Sequence, residues 1–230
     1  MNHLLDNPVW EALSTTQHAF NMGSAVVKFF PEDIAPFLAM ADWNAAAVNT
    51  LLQQIPVNRN FSILMAETVS IPPSLKLVFT IPLYQMVCNN FSPVTSQAHQ
   101  PVELTEQHVE QMLELTAKTK PGPFFKRTYL FGNYIGIIHH NRLAAMAGER
   151  LQMPGFTEIS AVCAEPEFLG KGYAATLVCE AAAKIIGMGN TPFLHVRQDN
   201  VRAIALYKKL GFTIRRNIFF AIFKKEAPFL

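Results

Sequence analysis

The run from Thr157 to Arg197 constrains the fold more than any other part of the chain. Thr157 to Cys163 reads as a strand, and Pro166 ends its pairing. Gly170 and Gly172 then permit a tight turn. From Tyr173 to Met188, Leu177, Val178, Ala181 and Ile185 recur on one helical face, and Gly187 and Gly189 mark the end. Pro192 to Arg197 is a second strand. Two strands joined through a helix pair in parallel by a crossover connection. The expectation is an α/β chain with a mixed central sheet flanked by helices.

The rest of the chain bounds the function classes. Half of the 230 residues are hydrophobic and 16% are charged, so a sizeable core is expected. A net charge of +2 leaves no polyanion footprint, and duplex nucleic acid is not an expected partner. Met1 to Pro8 lacks the cationic start and apolar run of a signal peptide. Leu75 to Cys88 is too short for a membrane span and contains Lys76 and Pro82. Cys88, Cys163 and Cys179 are odd in number and scattered, which suits neither a disulfide framework nor a metal pair. A reducing cytoplasm, no metal and no membrane are therefore expected.

In the first 87 residues, Ala35 to Gln54 has helical apolar spacing, and Phe61 to Met65 and Leu75 to Phe79 read as strands around the Pro72-Pro73 break. Trp10, Phe29, Phe30, Phe37 and Trp43 read as core. The polar stretch Asn89 to Pro101 reads as a linker, dividing an accessory α/β domain, 1–99, from a second domain, 100–230. After it come a short strand at Val102 to Leu104, a helix from Thr105 to Thr116, and a loop at Lys120 to Pro123. Tyr134 to His140 and Leu143 to Gly148 form a hairpin around Asn141-Arg142. His139 and His140 at its tip lack further ligands nearby and read as a solvated turn.

Candidate chemistry gathers in the crossover. Strict alternation puts Glu158, Ser160 and Val162 on one face and Ile159, Ala161 and Cys163 on the core face, leaving Glu158 exposed or lining a cavity. The turn Glu167-Phe-Leu-Gly-Lys-Gly-Tyr-Ala174 sets backbone amides at a helix start, where a phosphate would bind. A dinucleotide site is disfavoured: Ala174-Ala175 follow where a third glycine belongs, and Asn190, Thr191 and Pro192 stand where a ribose-binding carboxylate belongs. Downstream, Asn200 precedes a helix with Ala203, Leu206, Tyr207 and Leu210 on one face, and Gly211 stops it. Taken singly, the glycines, Asn200 and Tyr207 read equally as helix entry, helix cap and core.

Together, Val162-Cys-Ala-Glu-Pro-Glu-Phe-Leu-Gly-Lys-Gly-Tyr-Ala174, Asn200 and Leu206-Tyr-Lys-Lys-Leu-Gly-Phe212 resemble the GNAT acetyltransferase superfamily over roughly residues 100–230, and most of all its bacterial branch related to glycine N-acyltransferase. The resemblance implies the GNAT fold, with an N-terminal half that is a candidate degenerate copy of it, and acetyl-CoA as co-substrate. It implies that backbone at Val162, Cys163 and Ala164 holds the pantetheine arm and that the Val162 amide is the oxyanion donor. It implies that the amides of Leu169, Gly170, Lys171, Gly172, Tyr173 and Ala174 hold the pyrophosphate. Asn200 would contact the pantetheine amides, Tyr207 would protonate the leaving thiolate, and Glu158 would act as general base from about 13 Å along the strand, through one water. Leu169 departs from the family's Gln or Arg, and weaker cofactor binding is expected, with Lys171 supplying some of the charge. Cys163 is not expected to carry the acyl group.

The expected reaction is transfer of an acetyl group to a primary amine of a small molecule in one ternary complex, by a monomer or homodimer. A protein N-terminal or lysine acetyltransferase and a non-catalytic acyl-CoA-binding module are the alternatives. The N-terminal half is expected to help shape the acceptor pocket.

Overall fold

The computed structural model describes residues 3–93 and 100–227. In chain order the elements are α1 (Pro8–Ser14), β1 (Val27–Phe29), β2 (Leu38–Met40), α2 (Ala45–Gln54), β3 (Asn60–Met65), β4 (Lys76–Cys88), β5 (Val102–Leu104), α3 (Val109–Thr119), β6 (Tyr134–His139), β7 (Arg142–Met153), β8 (Phe156–Ala164), α4 (Tyr173–Gly187), β9 (Thr191–Arg197), α5 (Val201–Lys209) and β10 (Phe212–Lys224). β1 and β2 form a small antiparallel ribbon, and the other eight strands form one sheet in the order β3-β10-β4-β9-β8-β7-β6-β5. Every described neighbour pair is antiparallel except β8 and β9, which the α4 crossover makes parallel.

The division at residue 100 is not a division of the sheet. β4, from the N-terminal side, lies between β9 and β10, and β3 caps the edge beyond β10. The reason is β10, a long strand after the Leu-Gly-Phe motif that no turn or alternation signal had marked. Its one edge takes β4 and its other takes β3. Of the linker segment, residues 94–99 lie outside the described residues.

Two further expectations change. The helix expected from Ala35 begins at Ala45, where the Asn44 side chain accepts a hydrogen bond from the Ala47 amide. Phe37 instead bridges to Ser62, and Leu38–Met40 is the strand β2. In the hairpin, the turn residues are His140 and Asn141, both at positive φ, so it closes one residue earlier than expected.

The two faces of the sheet are covered differently. Leu194 and Val196 of β9 pack with Val178, Ile185, Ile204 and Leu210 of and beside α4 and α5. Phe193, from the same strand, points the other way, into a core with Leu5, Val9 and Leu13 from the N-terminus. α3 packs on this second face, with Met112 and Leu115 against Met146 and Cys163. Burying a large apolar side chain contributes roughly 1.5–3 kcal/mol, so both layers hold the sheet. The N-terminal segment is also tied by polar contacts: Gln85 Nε2 donates to the Leu5 carbonyl at 2.8 Å, and Gln17 Nε2 to the Arg150 carbonyl at 2.7 Å.

Candidate active site

β8 and β9 pair only at Phe156↔Thr191, Thr157↔Pro192 and Glu158↔Phe193, although β8 continues to Ala164 and β9 to Arg197. The cause lies in β8. Ala161 takes φ 53°, and the register against β7 slips between Ser160 and Cys163. Such a bulge bends and twists its strand, and here it turns β8 away from β9. Ala161 and Val162 have no register partner on either neighbour. The gap opens into a cavity of about 590 Å³.

The bulge also overturns strict alternation. Val162 and Ala164 pack with Leu177 of α4, whereas Ala161 and Cys163 pack with α3. Val162 therefore does not share a face with Glu158. The cavity runs through the sheet, from Leu169, Asn200 and Tyr207 on the α4/α5 side to Arg150, Leu83 and Phe220 on the other.

Glu158 is the largest correction. Its side chain is fully buried and does not line the cavity. Arg150 donates to it twice, from Nε to Oε2 at 2.8 Å and from Nη2 to Oε1 at 2.5 Å. His195 Nδ1 lies 2.6 Å from Oε1, and the Leu151 amide also donates to Oε2. Burial alone would raise this carboxyl, but Arg150 and His195 outweigh it and hold it down at about 2. Arg150 and His195 do line the cavity, so they stand between Glu158 and anything bound there.

Hydrogen bonds set the histidine tautomer. Gln85 Oε1 accepts from Arg215, which turns its Nε2 toward His195 Nε2 at 3.0 Å. Nε2 of the histidine accepts, and Nδ1–H donates to Glu158. The row continues across the sheet, since Arg215 Nη2 donates to Asp6 at 2.7 Å.

On the α4/α5 side the glycine turn forms as expected. Gly170 has φ 85°, and Gly172, at φ 84°, is the N-cap of α4. A Cβ on Gly172 would touch nothing within 4 Å, so the left-handed backbone, and not space, calls for glycine. The six amides are not equivalent. Those of Leu169 and Lys171 donate inside the turn, to the carbonyls of Pro166 and Phe168, both at 3.3 Å. An anion there would rely on the other glycine-turn amides and the first turn of α4, with its dipole. Lys171 sits over the Phe168 ring at 4.6 Å, and Leu169, 56% exposed, lines the cavity.

Asn200 caps α5, its Oδ1 accepting from the Ala203 amide at 3.1 Å, and also lines the cavity. Tyr207 is buried beside it, and burial pushes its hydroxyl up to about 12, leaving it protonated and able to donate. The Cys163 thiol is pushed up to about 11 by burial, which makes it a poor nucleophile. Gly211, at φ 93°, lets the chain pass close to the Asn90 carbonyl before entering β10.

Sequence reasoning missed His195, Arg150, Gln85 and Arg202. A signal existed for His195: it lies two residues past Phe193, the register partner of Glu158, and so on the same face. Arg202 Nη2 comes within 3.9 Å of the position a Cβ on Gly170 would take, which brings a guanidinium to the turn where Leu169 supplies no charge.

The fold is shared with known proteins. A family described as FR47-like protein matches residues 134–221. A crystal structure described as an acetyltransferase of the GNAT family from Novosphingobium aromaticivorans is 33% identical, covers 98% of this chain and is itself covered completely, with a TM-score of 0.90. A GCN5-related N-acetyltransferase from Kribbella flavida shares the fold at 12% identity, with a TM-score of 0.66 and coverage of 97% of this chain and 95% of that one. No curated protein matches the chain.

Proposed function

The chain belongs to the GNAT family of acetyltransferases, and on that premise we propose that it transfers an acetyl group from acetyl-CoA to a primary amine of a small molecule, as a member of the branch related to glycine N-acyltransferase. The observation that carries this reading is the parting of β8 and β9 after Glu158↔Phe193, which opens a cavity through the sheet with Val162, Asn200 and Tyr207 along it. The unpaired edge of β8 at Val162, Cys163 and Ala164 offers backbone groups to an extended pantetheine arm. The turn at Gly170 and Gly172, with the start of α4, offers amides to the pyrophosphate, and Arg202 adds charge beside them.

The amine attacks the acyl carbonyl directly, forming the N–C bond while the C–S bond breaks. The Val162 amide donates to the developing oxyanion, and the Tyr207 hydroxyl gives its proton to the departing sulfur. Glu158 contributes to removing the amine's proton only through His195, whose ring lines the cavity beside Arg150 and would take the proton at Nε2 in place of its hydrogen bond from Gln85. A reducing cytoplasm is the proposed compartment, which suits an odd number of scattered cysteines.

The test is release of CoA thiol from acetyl-CoA over an amine panel, with the pH dependence of kcat/KM for wild type, Glu158→Gln and His195→Gln. Turnover with a displaced pH profile in both variants is expected. If both profiles overlay the wild type, the assignment of the proton to this pair is wrong. CoA binding without turnover on any amine would make the chain a binding module.

A further inference from the structure

We propose that the acceptor is a monoamine with a bulky apolar body and no second positive charge, seated in a chamber that the N-terminal strands build on the far side of the sheet. The proposal rests on the acyltransferase reading above and names its substrate class.

The chamber is made by register. Phe220 of β10 pairs with Leu64 of β3 on one side and Ile81 of β4 on the other. In the next row Ile222 pairs with Phe79, and Leu83 follows Ile81 along β4. Alternate residues on a strand share a face, so these six side chains form one apolar surface, and all six line the cavity. Leu64, Leu83 and Phe220 are buried at its floor, while Phe79 is 46% exposed at its mouth.

The charges select further. Among the described residues no carboxylate lines the cavity, whereas Lys120, Arg150 and Arg197 do, and the carboxylates nearest the two arginines, Glu158 and Asp199, are already held in ion pairs with them. A polyamine or other dication would find in this lining no carboxylate to pair its second ammonium, and Lys120 beside it. A single amine near those cations is instead favoured in its uncharged form, which is the nucleophile.

Distance assigns the chamber to the acceptor and not to an acetyl group. β4 and β10 stand two and three strands away from the β8 bulge. At about 4.8 Å per strand this is roughly 10–14 Å, which an acetyl group cannot span. A long acyl chain could, and the experiment separates the two.

Thiol release is measured for acetyl-CoA with 2-phenylethylamine, ethanolamine and spermidine, and for octanoyl-CoA with ethanolamine. Calorimetry follows 2-phenylethylamine binding to the wild type and to Phe79→Ser, each free and CoA-loaded. The expected result is a kcat/KM about 100-fold higher for 2-phenylethylamine than for ethanolamine, with spermidine poorest, and binding weakened about tenfold in Phe79→Ser. Ethanolamine or spermidine matching 2-phenylethylamine overturns the proposal, and octanoyl transfer to ethanolamine outrunning acetyl transfer to 2-phenylethylamine overturns it by giving the chamber to the acyl chain. Phe79-dependent binding without turnover upholds the chamber and sinks the transfer reading. Turnover of ethanolamine without preference does the reverse, and neither binding nor turnover sinks both.

Discussion

The two mouths of the through-sheet cavity are built in different ways. On the α4/α5 side, Leu169, Asn200 and Tyr207, with the Gly170 and Gly172 turn beside them, come from one stretch of about forty residues, and each sits at a helix end or on a helix face that its neighbours dictate. On the other side, Leu64, Phe79, Leu83, Arg150 and Phe220 come from four strands scattered from residue 60 to residue 224, joined by sheet register. The side assigned above to the cofactor is thus a local construction, and the side proposed for the acceptor is a long-range one. Changes on the first should act on acetyl-CoA, and changes on the second on the amine and on stability.

The largest effect is expected at the buried row between the two mouths. Glu158→Gln removes the carboxylate that compensates Arg150, and should cost roughly 3–5 kcal/mol in denaturant unfolding at pH 7. The Glu158 carboxyl is held at about 2 in the fold, against about 4.3 in the unfolded chain. Its stabilisation is therefore complete above pH 4.3 and is lost as pH falls through 2. Unfolding curves collected between pH 5 and pH 2 should show a steep wild-type loss that Glu158→Gln lacks. Equal slopes would mean the row does not hold the halves together.

Tyr207→Phe comes next. It keeps the packing of the ring and removes the hydroxyl proposed to donate the proton, so kcat should fall about 100-fold in steady-state assays with little change in the melting temperature. A comparable loss in KM for the amine instead would place Tyr207 on the wrong side of the comparison.

Gly172→Ala probes the turn. The methyl has room, but the left-handed conformation costs a residue with a Cβ about 1–2 kcal/mol. The KM for acetyl-CoA should rise about tenfold while the amine's KM stays within twofold. Leu169→Arg should have the smallest effect, lowering the acetyl-CoA KM about threefold by adding a guanidinium beside the phosphates. Arg202 already near the turn is why the gain is small.

Much of the cofactor side was legible because its signals are short-range. Glycine spacing, an Asn cap and an apolar helix stripe all act over a few residues, and α4, β9 and α5 formed where their patterns put them. Alternation failed at Ala161, since one residue in a left-handed conformation reverses every side chain after it, and nothing about an alanine announces that. Glu158 reads as exposed or lining a cavity because the strand pattern says which face a side chain takes but not what covers that face. The covering comes from Arg150, from His195 and from the N-terminal segment lying over them.

By itself, then, the chain's sequence determined the parallel crossover, the glycine turn and the capped helices, because each follows from backbone conformation and periodicity within a single segment. Only the tertiary structure decided that β4 enters the sheet between β9 and β10, that Glu158 is sealed behind His195, and that the far mouth is apolar. Those depend on which strand edges meet, and edge pairing between residues more than a hundred positions apart leaves no local mark.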